Sequence, residues 1–313
     1  MRRFLVTGVA GFIGSHLAET LLRNGDEVVG VDSFTDYYPR QVKQRNLEAA
    51  LEAGLELIEA DLSKTELAPL VLRSDGVFHL AAQPGVRGSW GDTFEIYVRD
   101  NELATQRVFE AAARAGVRVV FASSSSIYGN IDTYPTRENA VAHPVSPYGV
   151  TKLACEKLAE AYAASRSLDV VALRYFTVYG PRQRPDMAFS RVLRALLEGR
   201  PFTILGDGEQ SRDFTFVQDA VAATVAAMND AAASRVYNVG GGEEASLRQV
   251  IVLAERLTGR RLELCIKSPA IGDVRRTVAD TSLIRSELRW QPQTPLEDGI
   301  ERQRRWLETQ ANL

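Results

Sequence analysis

The first 175 residues alternate short apolar runs with stretches in which apolar side chains return every three or four positions. The runs predict strands over Arg3–Thr7, Glu27–Val31, Leu55–Ala60, Gly76–Ala81, Arg118–Ser123 and Asp169–Tyr175. They are nearly continuous rather than alternating, as strands are when helices cover both faces of a parallel sheet. Between them, Ser15–Asn24 places Leu17, Leu21 and Leu22 on a helical repeat and stops at Gly25. Phe94–Ala115 and Tyr148–Ser165 read as longer helices. Strand followed by helix, repeated, predicts an α/β fold built on a Rossmann-type doubly wound parallel sheet. After Phe176 the rhythm breaks, at Gly180-Pro181-Arg182-Gln183-Arg184-Pro185 and again at Gly206-Asp207-Gly208. A helix over Ala220–Ala233 and a strand over Val236–Val239 read as a return to the first sheet. The expected division is a first domain over residues 1–176 with a returning segment near 215–260. A smaller, mostly C-terminal domain takes 177–214 and 261–313.

Composition narrows the classes. The chain has 313 residues, is 45% hydrophobic and 25% charged, and carries a net charge of −3. Such a balance gives no electrostatic reason to expect a nucleic-acid partner or an anionic membrane. Two cysteines, Cys155 and Cys265, make no disulfide framework, and with three histidines no metal site is expected. No apolar run approaches the roughly 18 residues needed to span a bilayer. Met1-Arg2-Arg3 passes straight into Phe4-Leu5-Val6 with no room for a signal peptide, so a cytoplasmic location is expected.

Candidate chemistry begins at Gly8, Gly11 and Gly14, between the first strand and the first helix. Glycines there allow a tight turn, close approach of backbone to a pyrophosphate, and close helix packing. The free N–H groups of the helix start, at Phe12 and Ile13, then face the phosphates. The spacing is one residue longer in its first gap than Gly-x-Gly-x-x-Gly. Asp32 ends the second strand about 20 residues further on, where a carboxylate accepts both ribose hydroxyls and repels a 2′-phosphate. That favours NAD over NADP. Asp61 and Leu62 end the third strand, beside an expected adenine. Tyr148 and Lys152 stand four apart at the start of a helix and so share a face. A neighbouring ammonium stabilises a phenolate, turning tyrosine into a base. Taken singly, each of these also fits a plainer reading: a turn, a strand-end residue, or a surface pair.

Together they resemble the extended short-chain dehydrogenase/reductase family over essentially the whole chain. The resemblance is carried by Gly8/Gly11/Gly14, Phe78-His79-Leu80-Ala81-Ala82, Ser123 to Gly129, Tyr148/Lys152, Arg174-Tyr175-Phe176 and Arg212-Asp213-Phe214. It implies a catalytic set of Ser124, Tyr148 and Lys152, with Lys152 also holding the nicotinamide ribose. It further implies NAD contacts at Leu80, Ala81 and Ala82, a supporting Asn101, and Tyr175 on the nicotinamide side. Relatives that act on nucleotide sugars oxidise C4, and the family's usual assembly is a homodimer through the two long helices.

The reaction is narrowed by what is missing. Dehydratases and decarboxylases of the family carry an acidic residue three before Gly129, where this chain has Ser126, with neutral Ser125 beside it. Return of hydride to the opposite face of C4, which is epimerisation, is the simpler outcome. The strings Asp32 to Tyr38, Ala81 to Arg87 and Arg174 to Met187 resemble the UDP-glucuronate 4-epimerases. Thr177 stands where neutral-sugar epimerases carry Asn. A substrate carboxylate calls for a hydroxyl donor and a guanidinium, here Thr177 and Arg184, with Arg87 a secondary candidate. Ser125 and Ser126 are candidates on the sugar side, and Arg212 resembles the pyrophosphate arginine. Asp273 and Arg276 follow Pro269-Ala270-Ile271-Gly272, where neutral-sugar epimerases have Arg-Pro-Gly-Asp. The alternatives are a UDP-glucose or UDP-N-acetylglucosamine 4-epimerase, a UDP-glucuronate decarboxylase, and a non-catalytic binder of NAD or a sugar nucleotide.

Overall fold

A strand that is apolar on both sides has to be covered on both sides, and this chain returns a helix after nearly every strand to do so. The computed structural model describes residues 1–229, 235–268 and 272–311. Its first six strands are β1 (Arg3–Thr7), β2 (Glu27–Asp32), β3 (Glu56–Glu59), β4 (Gly76–His79), β5 (Val119–Ser124) and β6 (Val170–Tyr175). Then come β7 (Thr177–Tyr179), β8 (Phe202–Leu205), β9 (Ser211–Phe216) and β10 (Val236–Val239). The last three are β11 (Glu243–Ser246), β12 (Leu264–Lys267) and β13 (Arg276–Thr277).

The large sheet has the order β10-β6-β5-β4-β1-β2-β3 with every pair parallel. This is the doubly wound sheet expected from the alternation. Strand order reverses between β1 and β4, and a crevice opens at the carboxyl ends of the strands there. The bounds of β1 and β10 are those read in the sequence, and the others of this sheet move by one or two residues. The edge strand β3 is guarded by charge, with Glu56 paired to Arg3 and Glu59 to Arg40. The return to this sheet comprises helix Val217–Asn229, packed on helix Phe12–Arg23, and then β10. Residues 230–233 of the expected helix lie outside the described residues. The next strand, β11, pairs with β9 in a smaller sheet completed by β13 and β7, while β12 pairs with β8.

Two readings change. The expected single helix over Phe94–Ala115 is interrupted by a π-helical stretch at Val98–Leu103. Asn101 sits in it, buried, accepting the Gln83 N–H at 2.7 Å and donating to the Gln83 carbonyl and to Thr151 Oγ1. Helix Arg40–Glu52, absent from the sequence reading, hides its stripe because Lys43 and Asn46 occupy two of its four buried positions.

Behind the crevice lies a buried ion pair. Glu156, on helix Pro147–Arg166, meets Arg174 of β6 at 2.7 Å, both side chains under 10% exposed. Ser123 Oγ donates to Glu156 at 2.5 Å, and Arg174 also donates to Tyr128 and to the Glu138 carbonyl. Breaking a buried pair from one side typically costs 3–5 kcal/mol, because the other charge is left uncompensated. Glu156→Gln is therefore expected to lose about 3–5 kcal/mol of stability in urea unfolding. A loss under about 1 kcal/mol, the scale of an exposed pair, would show that Arg174 finds another partner.

Candidate active site

The carboxyl ends of β1, β2, β4, β5 and β6 open into one cavity of about 370 Å³. At its floor Gly8 holds φ +70°, and a Cβ there would stand 2.7 Å from the Ala81 nitrogen. A Cβ on Gly14 would overlap the Gly8 carbonyl. Helix Phe12–Arg23 starts here with no side-chain cap and no acidic residue in its first turn. A bare backbone channel ending at a positive helix end fits a pyrophosphate. Asp32 lines the cavity while its oxygens accept from the Ala10 N–H at 3.0 Å and the Phe34 N–H at 2.8 Å. Burial raises its pKa against those bonds. A carboxylate has about four acceptor sites, so two remain for ribose hydroxyls. Asp61, Leu62, Leu80, Ala81, Ala82 and Tyr175 line the same cavity. These groups fit a dinucleotide along its whole length. Asn101 does not line it; it holds Gln83, which does.

At the far end stand Ser124, Ser125, Ser126, Tyr148, Lys152, Thr177 and Arg184. Ser124 accepts from the Ser126 N–H at 3.1 Å, which leaves its hydroxyl proton to donate. Tyr148 is fixed edge-on to Tyr97, ring centroids 6.3 Å apart. Burial raises the Tyr148 phenol, while the Ser124 hydroxyl and the Arg184 charge pull it back down. Lys152 donates to the Ala122 carbonyl at 2.9 Å, and its ammonium is destabilised by burial. The Arg184 charge thus favours the phenolate, an effect the sequence alone had not assigned to it.

The remaining candidates fall elsewhere. Arg87 does not line this cavity; the loop turns at Gly85, φ +99°, and Arg87 pairs with Asp273 at 2.7 Å. Both line a second cavity, together with Phe202, Thr203 and Gln210. Arg212 feels the charges of Asp273 and Arg87, and its Nη1 donates to the Ser211 carbonyl at 2.8 Å. Arg276 lines neither cavity. β11 and β13 flank β9, which brings Glu244 to Arg276 in a fork at 2.7 Å, with Tyr134 under the guanidinium. Pro269, Ala270 and Ile271 lie outside the described residues. The sequence reading passed over Tyr37, Lys43 and Gln83 as cavity residues. Tyr37 and Gln83 sit inside strings quoted for the resemblance, so their signal was present; Lys43 had none.

Residues 4–240 match the NAD dependent epimerase/dehydratase family. A UDP-glucuronate 4-epimerase of Thermodesulfobacterium geofontis is 35% identical over 319 residues, covering 100% of this chain and 98% of that one. An uncharacterised UDP-glucose epimerase of Bacillus subtilis is 44% identical over 302 residues, 95% of each chain. The crystal structure of UDP-glucuronic acid 4-epimerase from Bacillus cereus, with UDP-glucuronic acid and NAD, superposes with a TM-score of 0.94. It is 40% identical and covers 98% of this chain and 99% of that one. The protein belongs to the NAD-dependent epimerase/dehydratase family, and its cofactor is NAD.

If Asp32 reads the ribose, Asp32→Ala weakens NAD and narrows the gap between NAD and NADP affinity, measured by titrating each nucleotide. An unchanged preference would confine Asp32 to holding the Ala10 and Phe34 turns.

Proposed function

We infer that the protein is an NAD-dependent UDP-sugar 4-epimerase, and that its substrate is UDP-glucuronate, converted to UDP-galacturonate. The observation that carries this reading is the grouping in one cavity of a hydroxyl, a half-buried phenol and a guanidinium, Ser124, Tyr148 and Arg184, with Thr177 in the same lining. The UDP-glucuronate 4-epimerases among its relatives support it. The Bacillus subtilis relative keeps a second reading in view, epimerisation of UDP-glucose.

When bound, NAD supplies a hydride acceptor that takes the C4 hydrogen and gives it back. The chain does the rest. Tyr148, as phenolate, takes the proton of the C4 hydroxyl, and Ser124 donates to the same oxygen to hold it in line. The Arg184 charge favours the phenolate. After the 4-keto sugar rotates, Tyr148 returns the proton. A 4-keto uronate is a β-keto acid and loses CO2 readily when its carboxylate bond aligns with the carbonyl π system. Thr177 and Arg184 pin the carboxylate away from that alignment, with Ser125 and Ser126 bordering the sugar. The second cavity takes the nucleotide end, near Arg87, Arg212 and Asp273. In this reading the large-sheet half holds the cofactor and the smaller half the nucleotide sugar.

The free thiols Cys155 and Cys265, the latter exposed, support a reducing cytoplasmic location. Ile96, Val98, Leu103 and Val150 are 36–46% exposed on the segments Phe94–Ala115 and Pro147–Arg166, which supports a homodimer through these helices.

Incubation with UDP-glucuronate, UDP-glucose and UDP-N-acetylglucosamine in separate reactions, with products resolved by chromatography, tests the substrate. The uronate epimer is expected, with no net NADH in the absorbance at equilibrium. Stoichiometric NADH release would contradict an epimerase. Tyr148→Phe is expected to lower turnover by roughly 10²–10⁴, the scale of a positioned acid/base group, with NAD still bound. An unchanged rate would remove Tyr148 from the mechanism.

A further inference from the structure

Arg184 does not face the sugar alone. Its Nε and Nη2 donate to Oδ1 and Oδ2 of Asp186, both at 3.0 Å, a fork that leaves Nη1 out. The Tyr37 hydroxyl donates to Asp186 at 3.3 Å, and the guanidinium carbon lies 5.6 Å from the Tyr37 ring centroid. The pair stands between the two cavities: Arg184 lines the active cavity, Asp186 lines the nucleotide cavity, and Tyr37 lines both. A tight turn holds Asp186 there, closed by the Met187 N–H on the Arg184 carbonyl at 3.1 Å and running into helix Ala188–Glu198.

The two ends of the pair differ in environment. Arg184's side chain is 18% exposed and Asp186's 42%. A pair with one partner this open, two residues apart in sequence, contributes little to stability. Its electrostatic effect is felt instead in the cavity, where Arg184 acts on Tyr148 and where water is displaced by substrate. An arginine with its own carboxylate attached presents much less net charge to an incoming carboxylate than a bare one. The neutral hexose, with a hydroxymethyl group in place of the carboxylate, is almost indifferent to that difference.

We propose that Asp186, braced by Tyr37, is a specificity-determining residue: as the counter-ion of Arg184 it sets how much more tightly the site holds a uronate than a neutral hexose. The consequence is a site that binds the charged sugar through a directed hydrogen bond from Nη1 rather than through an uncompensated cation, and that keeps room for the neutral sugar. Asp186 does not itself line the active cavity, and acts by its charge, which offsets that of Arg184. The proposal rests on the reading that Arg184 faces the sugar's C6 group.

The test is binding rather than turnover, so that it stands apart from which sugar is epimerised. Dissociation constants for UDP-glucuronate and for UDP-glucose are measured by calorimetry on NAD-loaded protein carrying Tyr148→Phe, with and without Asp186→Asn. Asp186→Asn is expected to tighten UDP-glucuronate by roughly tenfold, a modest share of what one unit charge contributes near a protein surface, and to leave UDP-glucose within about twofold. Asp186→Glu, which keeps the charge, returns the ratio to that of the parent. An unchanged ratio, or equal weakening of both sugars, overturns the proposal, the second because it marks a structural role. Should Asp186→Asn alone fold poorly, the comparison moves to Arg184→Gln with and without Asp186→Asn, which leaves no cation without its partner. There the second substitution is expected to recover about tenfold in the uronate-to-hexose ratio, and no recovery overturns the proposal. If the protein epimerises only UDP-glucose, the substrate reading fails while this ratio still decides the role of Asp186. If UDP-glucuronate is the substrate and the ratio does not move, only the role of Asp186 falls.

Discussion

The buried pair of Glu156 and Arg174 is the joint on which the active site hangs. Glu156 lies one helical turn beyond Lys152 on the helix that also carries Tyr148, and Arg174 lies on β6. The pair therefore bolts the catalytic helix to the sheet. Ser123, which donates into the pair, immediately precedes Ser124, so the same joint fixes the serine that faces the phenol. Through Tyr128 it reaches Asn238 on β10, whose side chain donates to the carbonyls of Thr136 and Asp280. One desolvated ion pair thus aligns β5, β6, β10 and the helix. Because its charges are out of water, partial solutions are costly, and the arrangement is held to one geometry.

Upon this frame the cavity is divided by the polarity of its walls. Around Gly8, Gly11 and Gly14 the wall is backbone, where the shape excludes side chains and the helix start supplies positive potential. The reactive end is side chains whose charge states are tuned by burial. Tyr148 and Lys152 are both disfavoured as ions by desolvation, while the Arg184 charge and the Ser124 hydroxyl favour the phenolate. His79, beneath the same strand ends, is pushed down to about 3 by burial and stays neutral, bridging Thr7 and Thr105. It braces the strand ends without adding charge to the site.

Much of this was legible in the chain. Apolar runs fix which strands are buried, because a central strand has both faces covered and admits a polar side chain only where a partner meets it, as at His79 and Arg174. The glycines at 8, 11 and 14 show where backbone has to approach backbone; helical geometry puts Tyr148 and Lys152 on one face, and only the family resemblance implied their role. What the sequence could not determine is pairing between distant segments. Arg87 was a secondary candidate for a carboxylate and Arg276 a candidate on the substrate side, yet Asp273 and Glu244, brought near by the smaller sheet, pair with them. The helix over Arg40–Glu52 was invisible because Lys43 and Asn46 are buried for bonds to Thr35 and Ala10 rather than for apolarity. Arg184 and Asp186 lie two residues apart and their fork is local, but its position between two cavities exists only once Tyr37 has been carried across from the loop after β2. Local sequence determines periodicity and chain stiffness; which charge meets which is decided by long-range packing, since a salt bridge depends on distance in space and not along the chain.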